Sequence, residues 1–297
     1  MKQKLSLILI SILIIAISGC KNDTKKKEAS IETQKSDSVN RQRIDYLLPS
    51  PQELMSFVKD EGLVYKENLV YNLEDIEKIN LFRNQALYFG VYFCDFYYLS
   101  VFEKNTQSLK YLATLRQLSV KLGIDNLFKE TFFKRMEANY ANLDSLKEIS
   151  IELSFDVFNS LEQTDNQMLF SIIGIGSIVE SLYLTSTSIT DFNKQASIVS
   201  SVYDIGEFYE NFFSSFLVFC SDNPSLKPLL DDLTIIRELL HKNKDLQEKG
   251  IALKKVNSSG VNISLNEKKK GSIKEADFNE LRDKVLSVRS KIVNQQY

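Results

Sequence analysis

The sequence is poor in the residues that most often carry catalysis and metal binding. Its 297 residues include no Trp, one His, three Cys and four Pro. Glu238 and His241 have the Glu-x-x-His spacing of di-iron carboxylate bundles, but such sites need a second motif of this kind and the sequence has no second histidine. We therefore predict no catalytic residue, no metal and no cofactor, and we expect His241 to lie near a solvated helix end.

The scarcity of proline and cysteine restricts the kind of fold. The prolines fall in two clusters, Pro49 with Pro51 and Pro224 with Pro228. The long segments between the clusters can form uninterrupted helices. Cys94 and Cys220 each lie inside an apolar run, which favours buried free thiols, with a disulfide between them as the open alternative.

The first residues have the pattern of an export signal. Two lysines precede an apolar run over residues 5–17, which is followed by Ile17-Ser18-Gly19-Cys20. The run is shorter than the roughly 20 residues that a membrane-spanning helix needs, whereas a positive start and small residues before a cleavage site are typical of a signal peptide. The cysteine resembles the lipidated residue of bacterial lipoproteins. We predict a signal peptide over 1–19, lipid attachment at Cys20, and anchoring by several acyl chains such as palmitate. The alternative is an uncleaved anchor or an incidental cysteine.

The charge distribution separates a basic tether from an acidic domain. Residues 20–45 are polar and carry a net charge of +3 between Lys21 and Ile44, and we interpret them as a flexible tether. Without the two lysines of the predicted leader the chain has 35 basic and 39 acidic residues, so residues 45–297, which include the helical domain predicted over 46–297, have a net charge of −7. Nucleic acid is not an expected partner, because its binding requires a basic surface.

The periodicity of the remaining chain predicts an all-α fold, an antiparallel multi-helix bundle. Three segments are apolar nearly all round and should lie at its centre: Ala86 to Phe102, Met168 to Leu184, and Phe208 to Cys220. Gly123 should end one helix and Gly250 another. Alternating Val261, Ile263 and Leu265 indicate a possible small β-hairpin. A final amphipathic helix presents one apolar stripe, formed by Phe278, Leu281, Val285, Val288 and Ile292.

Two acidic residues lie inside the apolar helices. Asp95 has Tyr92 on its side of the helix, and Glu180 has Tyr183. A carboxylate in an apolar helix needs hydrogen bonds, a charged partner or a proton. We expect tyrosine hydroxyls or helix ends to satisfy both acids. The alternative is that these four residues face a ligand, which they would bind or polarise.

Two segments resemble a known family, "LYFGVYFCDFYYLSVFEKNTQSLKYLATLRQLSVKLGI" and "GIGSIVESLYL". The matching residues are Gly90, Val91, Tyr92, Asp95, Tyr98, Tyr111, Leu118, Gly176, Glu180, Leu182 and Tyr183. They resemble a family of helical lipoproteins from Bacteroidetes-type bacteria that has no assigned activity. The resemblance implies an all-helical domain from Leu48 onward, held by a tether at the outer membrane. Tyr88 and Ile178 replace the Asn and Trp of the family pattern, so no ligand role is transferred to them.

A short modification signal accompanies this resemblance. Asp37-Ser38-Val39 and Asp144-Ser145-Leu146 resemble the three-residue O-glycosylation signal of the same group of bacteria. Because Ser38 lies in the predicted tether, it is the better candidate. The face of the outer membrane, periplasmic or external, is left open, because only Asp23 represents the acidic stretch that directs such lipoproteins to the surface.

These observations lead to a function prediction with two alternatives. We expect an envelope lipoprotein, anchored to the membrane by lipid, whose helical domain binds an envelope protein or a glycan or serves a structural role. The first alternative is a carrier of a small molecule or lipid, with a pocket between the helix of Tyr88 to Phe102 and the helix of Glu180. The second is an enzyme of unknown class.

Overall fold

The protein is described by a computed structural model that covers residues 51–73, 76–127, 130–142, 144–146, 148–149, 152, 166–242 and 273–297. All of these belong to one compact unit, Ile44–Tyr297. The described residues contain helices and no strand, so the all-α prediction is confirmed for them. The predicted hairpin over Val261 to Leu265 lies outside the described residues, as do the leader, Cys20 and Ser38.

The α-helices differ widely in length. Among the described residues they are, in chain order, α1 (Pro51–Asp60), α2 (Phe82–Val101), α3 (Asn105–Leu122), α4 (Glu130–Ala138), α5 (Gln167–Ser188), α6 (Ala196–Cys220), α7 (Lys227–His241) and α8 (Glu275–Val293). Short 3₁₀ turns occur at Glu67–Leu69, Ile76–Lys78, Asp125–Leu127 and Pro224–Leu226. Gly123 ends α3 in the left-handed conformation, φ +70°, as the sequence predicted.

The centre of the fold is the contact between α2 and α5. Almost every residue of both helices is buried, in agreement with their apolar composition on all sides. Within the described residues, α5 is the one helix long and apolar enough to span a membrane, with a mean hydropathy of 1.6, but 89% of that stretch is buried inside the fold. Length and composition alone are therefore weak grounds for a span, because a core helix has the same properties.

Two glycines allow α2 and α5 to touch backbone to backbone. A Cβ atom on Gly90 would lie 2.1 Å from the main-chain oxygen of Ile173, and a Cβ on Gly176 would lie 2.3 Å from that of Leu87. The Ser177 hydroxyl donates a hydrogen bond of 3.1 Å to the Gly90 carbonyl oxygen. No other residue fits at either glycine without separating the helices.

The relative direction of the two helices corrects the expectation of a uniformly antiparallel bundle. Gly90 faces Gly176, and four to five residues further along each helix the Cys94 sulfur lies 3.2 Å from the Ser181 hydroxyl. The contacts therefore advance in the same direction, and α2 and α5 are parallel. Sixty-five residues separate the end of α2 from the start of α5, and this connection, which includes the returning helix α3, allows the chain to re-enter from the same end.

The neighbours of this pair run in the opposite direction. Ser171 and Ser215 share a hydrogen bond of 2.7 Å, and Gly174 faces Phe212, so α6 is antiparallel to α5. The guanidinium of Arg289 on α8 reaches Glu180, whereas the carbonyl of Val293 accepts a hydrogen bond from Tyr88. These contacts place α8 antiparallel to α2 and in contact with both central helices.

Replacing Gly90 by Ala should strongly destabilise the fold. The new methyl group would collide with backbone atoms that cannot rotate away, so we expect a loss of about 2–4 kcal/mol in the free energy of unfolding. Gly206→Ala is the matched control, because its Cβ would meet the side chain of Leu240 and no backbone, with the nearest atom, Cδ2, at 2.8 Å. Urea unfolding measures both variants, and equal losses would contradict the close contact of α2 and α5.

Candidate functional site

The site with the most distinctive chemistry is a buried ion pair between α5 and α8. The guanidinium of Arg289 donates two hydrogen bonds to Glu180, from Nε to Oε2 at 3.0 Å and from Nη2 to Oε1 at 3.1 Å. The Glu180 side chain is fully buried and that of Arg289 is 11% exposed. A parallel pair of hydrogen bonds is the geometry in which arginine holds a carboxylate most firmly.

Asp95 completes this cluster from α2. Its Oδ2 atom accepts a hydrogen bond of 2.9 Å from the main-chain amide of Tyr71. Its Oδ1 atom is buried and, within the described residues, receives no hydrogen bond as an ionised acceptor. The neighbouring carboxylate of Glu180 offers a partner only if Asp95 carries a proton, because two ionised carboxylates repel each other.

Burial and the negative charge of Glu180 both favour a proton on Asp95. Burial, and then the negative charge of Glu180, raise the pKa of Asp95 well above its usual range, against smaller lowering effects of the Tyr71 amide and Arg289. Burial also raises the pKa of Glu180, but Arg289 counteracts the rise. The cluster therefore contains one guanidinium, one carboxylate and one carboxylic acid, and it is neutral overall. A proton on Asp95 would allow its carboxyl group to donate a hydrogen bond to Glu180 and so link α2 to α5.

Tyrosine rings enclose the cluster. The Arg289 guanidinium lies 4.4 Å from the ring centre of Tyr183 and 5.1 Å from that of Tyr71. Tyr92 packs against Tyr71 and Tyr111, with ring centres 6.1 and 5.9 Å apart. Aromatic faces favour a cation that has lost most of its water, so the rings add to the stability of the buried arginine.

The tyrosine hydroxyls have partners other than the predicted ones. Tyr92 donates to the carbonyl of Asn72 at 3.3 Å, Tyr111 donates to that of Tyr71 at 2.7 Å, and Tyr88 donates to that of Val293. Glu180 and the Oδ2 atom of Asp95 have partners inside the fold, but these are neither the tyrosine hydroxyls nor the helix ends that we expected, and the Oδ1 atom of Asp95 accepts no hydrogen bond from the described residues. The partners are a main-chain amide and an arginine.

Two members of the cluster were not singled out from the sequence. Arg289 lies four residues after Val285 and three before Ile292, so it shares the apolar stripe of the last helix. A charged residue within that stripe was the feature of the sequence that could have indicated a buried arginine. Tyr71 lies in an irregular segment between two 3₁₀ turns and acts through its main-chain amide. No residue type marks such a role in a sequence.

The space predicted for a carrier pocket is filled. The Arg289 side chain and the Tyr71 ring occupy the side of α2 and α5 next to Glu180, and the two helices touch directly at Gly90. A ligand there would have to displace the ion pair. An open depression of about 240 Å³ lies elsewhere, between α3 and α4, and is lined by Arg116, Ser119, Val120, Asp125, Glu130 and Phe133.

A further acid, Asp232, joins the outer helices. Asp232 on α7 accepts hydrogen bonds from Lys284 at 2.7 Å, from Lys291 at 2.6 Å and from the Tyr297 hydroxyl at 2.6 Å. Burial alone would raise the pKa of Asp232, but these three donors lower it to about 2. Asp232 is therefore ionised at neutral pH and ties α7 to α8.

The contacts of His241, Cys94 and Cys220 are those of residues that stabilise the fold. The His241 Nε2 atom lies 3.0 Å from Glu210, which also binds Arg237, so the contact of His241 is with α6 rather than with Glu238 in a shared site. Within the described residues no group of three or more potential ligands is arranged to hold a metal. Cys94 and Cys220 are both buried and free, as predicted.

Comparisons with models of protein families, with curated proteins and with solved structures found no match for this chain. Its interpretation therefore depends on its own residues and their geometry.

Replacing Arg289 by Met should leave the Glu180 charge buried and unpaired. We expect a loss of about 3–5 kcal/mol in the free energy of unfolding, and partial recovery when Glu180→Gln is added. Arg237→Met removes a contact in which Nε alone donates to both carboxylate oxygens of Glu210, but the Arg237 side chain is 42% exposed, so that loss should be about 1 kcal/mol or less. Chemical unfolding of these three variants and of Glu180→Gln alone measures the coupling between Arg289 and Glu180, and its absence would contradict a buried pair.

Replacing Asp95 by Asn should make stability less sensitive to high pH. Folded Asp95 retains a proton that the unfolded chain releases near its ordinary pKa, so the native stability falls as pH rises. Asn has a similar shape to the protonated acid and titrates in neither state. Above the pKa of Asp95 in the unfolded chain, and until Asp95 in the fold releases its proton, the variant should gain stability relative to the native protein by about 1.4 kcal/mol per pH unit for one proton.

Asp232→Asn is the control for this measurement. The pKa of Asp232 is lowered to about 2, so its stabilising contribution is complete above its unfolded pKa and is lost only as pH falls towards 2. The difference between Asp232→Asn and the native protein should therefore be constant over the same pH range. Thermal unfolding across pH gives both comparisons, and a constant difference for Asp95→Asn would show that Asp95 is ionised in the fold.

Proposed function

We propose that this protein is a lipid-anchored lipoprotein of the cell envelope, whose helical domain binds an envelope protein or glycan or serves a structural role. The observation that carries the proposal is the short apolar run that ends in Ile17-Ser18-Gly19-Cys20. A leader of this kind is cleaved before the cysteine, and acyl chains on Cys20 then hold the protein at the membrane. The resemblance to helical lipoproteins of Bacteroidetes-type bacteria supports the outer membrane as the location.

The geometry of the domain supports a binding or structural role over catalysis. Asp95 and Glu180, the acids with the most perturbed surroundings, have no exposed surface that a substrate could reach. The carboxylate of Glu180 is matched by Arg289, and a general acid or base needs access to the substrate's proton. A cluster of this kind fixes helices in place. The predicted tether over 20–45, with Ser38 as its proposed glycosylation site, would hold the rigid domain near the membrane.

Metabolic labelling tests the anchor directly. Cells that express the full chain are grown with an alkyne analogue of palmitate, and the purified protein is examined for the label. We expect the native chain to be labelled and Cys20→Ala to lose all of the label, since the other two cysteines are buried. Cys94→Ala and Cys220→Ala are the controls and should remain labelled. A labelled Cys20→Ala variant, or an unlabelled native chain, would overturn the proposal.

The binding role is tested by crosslinking in intact cells. A photoreactive residue on the exposed face of the domain, followed by mass spectrometry, should recover one envelope protein or glycan reproducibly. The Cys20→Ala variant, which is not anchored, should recover much less of it at equal expression. Turnover of a small-molecule substrate by the purified native protein would favour the enzyme alternative instead.

A further inference from the structure

Residues 64–73 lie against α2 and α3 without belonging to a long helix. Apart from the 3₁₀ turn Glu67–Leu69, they form no helix and no strand. Leu69 is buried, whereas Val64 is 64% exposed. We call residues 64–73 the strap. Because its backbone lies almost entirely outside regular structure, its N–H and C=O groups need other partners.

Side chains of the neighbouring helices bind the main chain of the strap. The Tyr98 hydroxyl on α2 accepts a hydrogen bond of 2.7 Å from the Lys66 amide and donates one of 3.4 Å to the Lys66 carbonyl. Asp95 accepts a hydrogen bond from the amide of Tyr71, and Tyr111 on α3 donates one to its carbonyl. These hydrogen bonds can break without loss of any hydrogen bond within a helix, which is the usual condition for local opening.

The side chains of the strap add further contacts to the helices. Lys66 donates a hydrogen bond of 2.7 Å from Nζ to the carbonyl of Ser188, at the end of α5. The Tyr71 hydroxyl donates one of 3.1 Å to the carbonyl of Val293, at the end of α8. These contacts make the closed strap the resting state. Because all of them belong to one short segment, they are made and lost together.

Tyr71 is the residue through which the strap covers the buried ion pair. Its amide binds the Oδ2 atom of Asp95, and its ring centre lies 5.1 Å from the Arg289 guanidinium. The other titratable or charged groups that face Asp95 belong to helices: Tyr92, Cys94 and Tyr98 on α2, Tyr111 on α3, Glu180 and Tyr183 on α5, and Arg289 on α8. Release of Tyr71 therefore opens the enclosure of Asp95 on one side and leaves the helices as they are.

We propose that the strap is a pH-sensitive lid, which opens while the helices stay folded and which a proton on Asp95 keeps closed. In the closed state the Oδ1 atom of Asp95 is buried, accepts no hydrogen bond from the described residues, and belongs to a group that faces the Glu180 carboxylate. A second negative charge is unfavourable there. Opening brings water to Asp95, so its ionised form favours the open strap. This device is a property of the helical domain and does not depend on the lipid anchor.

The direction of the pH effect follows from a comparison of the two states. Burial, and then Glu180, raise the pKa of Asp95 in the closed state, and opening removes the burial together with the smaller, opposite effect of the Tyr71 amide. The closed strap is therefore most stable below the pKa of Asp95 in the open state, and it loses stability as pH rises towards the pKa in the closed state. Over that range the equilibrium constant for opening should rise about tenfold per pH unit for one proton.

Hydrogen exchange of the purified full chain tests whether the strap opens by itself. The exchange rates of the Lys66 and Tyr71 amides, relative to those of an unfolded chain, give the equilibrium constant for opening. We expect these amides to open about a hundred times more often than amides at the centres of α2 and α5. Low concentrations of urea should hardly change their exchange, because opening exposes little surface. Equal protection and equal urea dependence of strap and helices would overturn the lid, and so would strap amides that have no protection.

The role of Asp95 is tested by the same measurement at several pH values above its pKa in the unfolded chain. We expect the opening constant of the native strap to rise with pH and that of Asp95→Asn to stay constant. Asp232→Asn is the control, because Asp232 contacts α8 and not the strap, and it should keep the native pH dependence. A native opening constant that does not change with pH, or a native slope in Asp95→Asn, would overturn control by this proton.

Two conservative variants test the lid without a change at Asp95. Tyr98→Phe removes the hydroxyl that binds Lys66, so the strap should open about five times more often, with the native pH dependence. Ser177→Ala removes the hydrogen bond from α5 to Gly90, which is intact whether the strap is open or closed. It should therefore increase exchange in the helices and leave the strap unchanged. A strap that responds to Ser177→Ala as strongly as the helices would show that it opens only when the whole domain unfolds, which would overturn the inference.

Discussion

Backbone contact between α2 and α5 at Gly90 and Gly176 is the constraint on which the rest of the structure depends. With no side chain between them, the two helices lie close enough for groups one turn further along to meet directly. Asp95 then faces Glu180, and Cys94 faces Ser181. Close contact of this kind buries polar atoms, and each buried polar atom must find a partner within the fold.

The buried acids meet this requirement through balanced charge. Two carboxyl groups and one guanidinium are neutral only when one carboxyl group keeps its proton, and Arg289 determines which one by pairing with Glu180. The α8 helix thereby becomes essential to the core, although its composition is that of an ordinary amphipathic helix. Removal of either charge from the pair leaves the other buried and unpaired, which costs more than the pair itself contributes.

The parallel direction of the central pair also makes the two ends of the domain different. In an antiparallel pair the helix dipoles would cancel at each end, whereas here they add. At the C-terminal end of the pair, Lys59 and Lys66 donate hydrogen bonds to the last carbonyl groups of the helices. At the N-terminal end, Phe82 and Met168 are exposed.

The local pattern of the sequence determined several features of the fold. Apolar composition on all sides predicted that α2 and α5 are central, Gly123 predicted the end of α3, and acids within apolar helices predicted that Asp95 and Glu180 have partners inside the fold. These features depend on residues close together in the chain, so they can be read from spacing. The tertiary structure alone decided that α2 and α5 are parallel, that Arg289 pairs with Glu180, and that the amide of Tyr71 binds Asp95. Each of these depends on how far the connecting segments carry the chain before it returns, and helical periodicity contains no information about that distance.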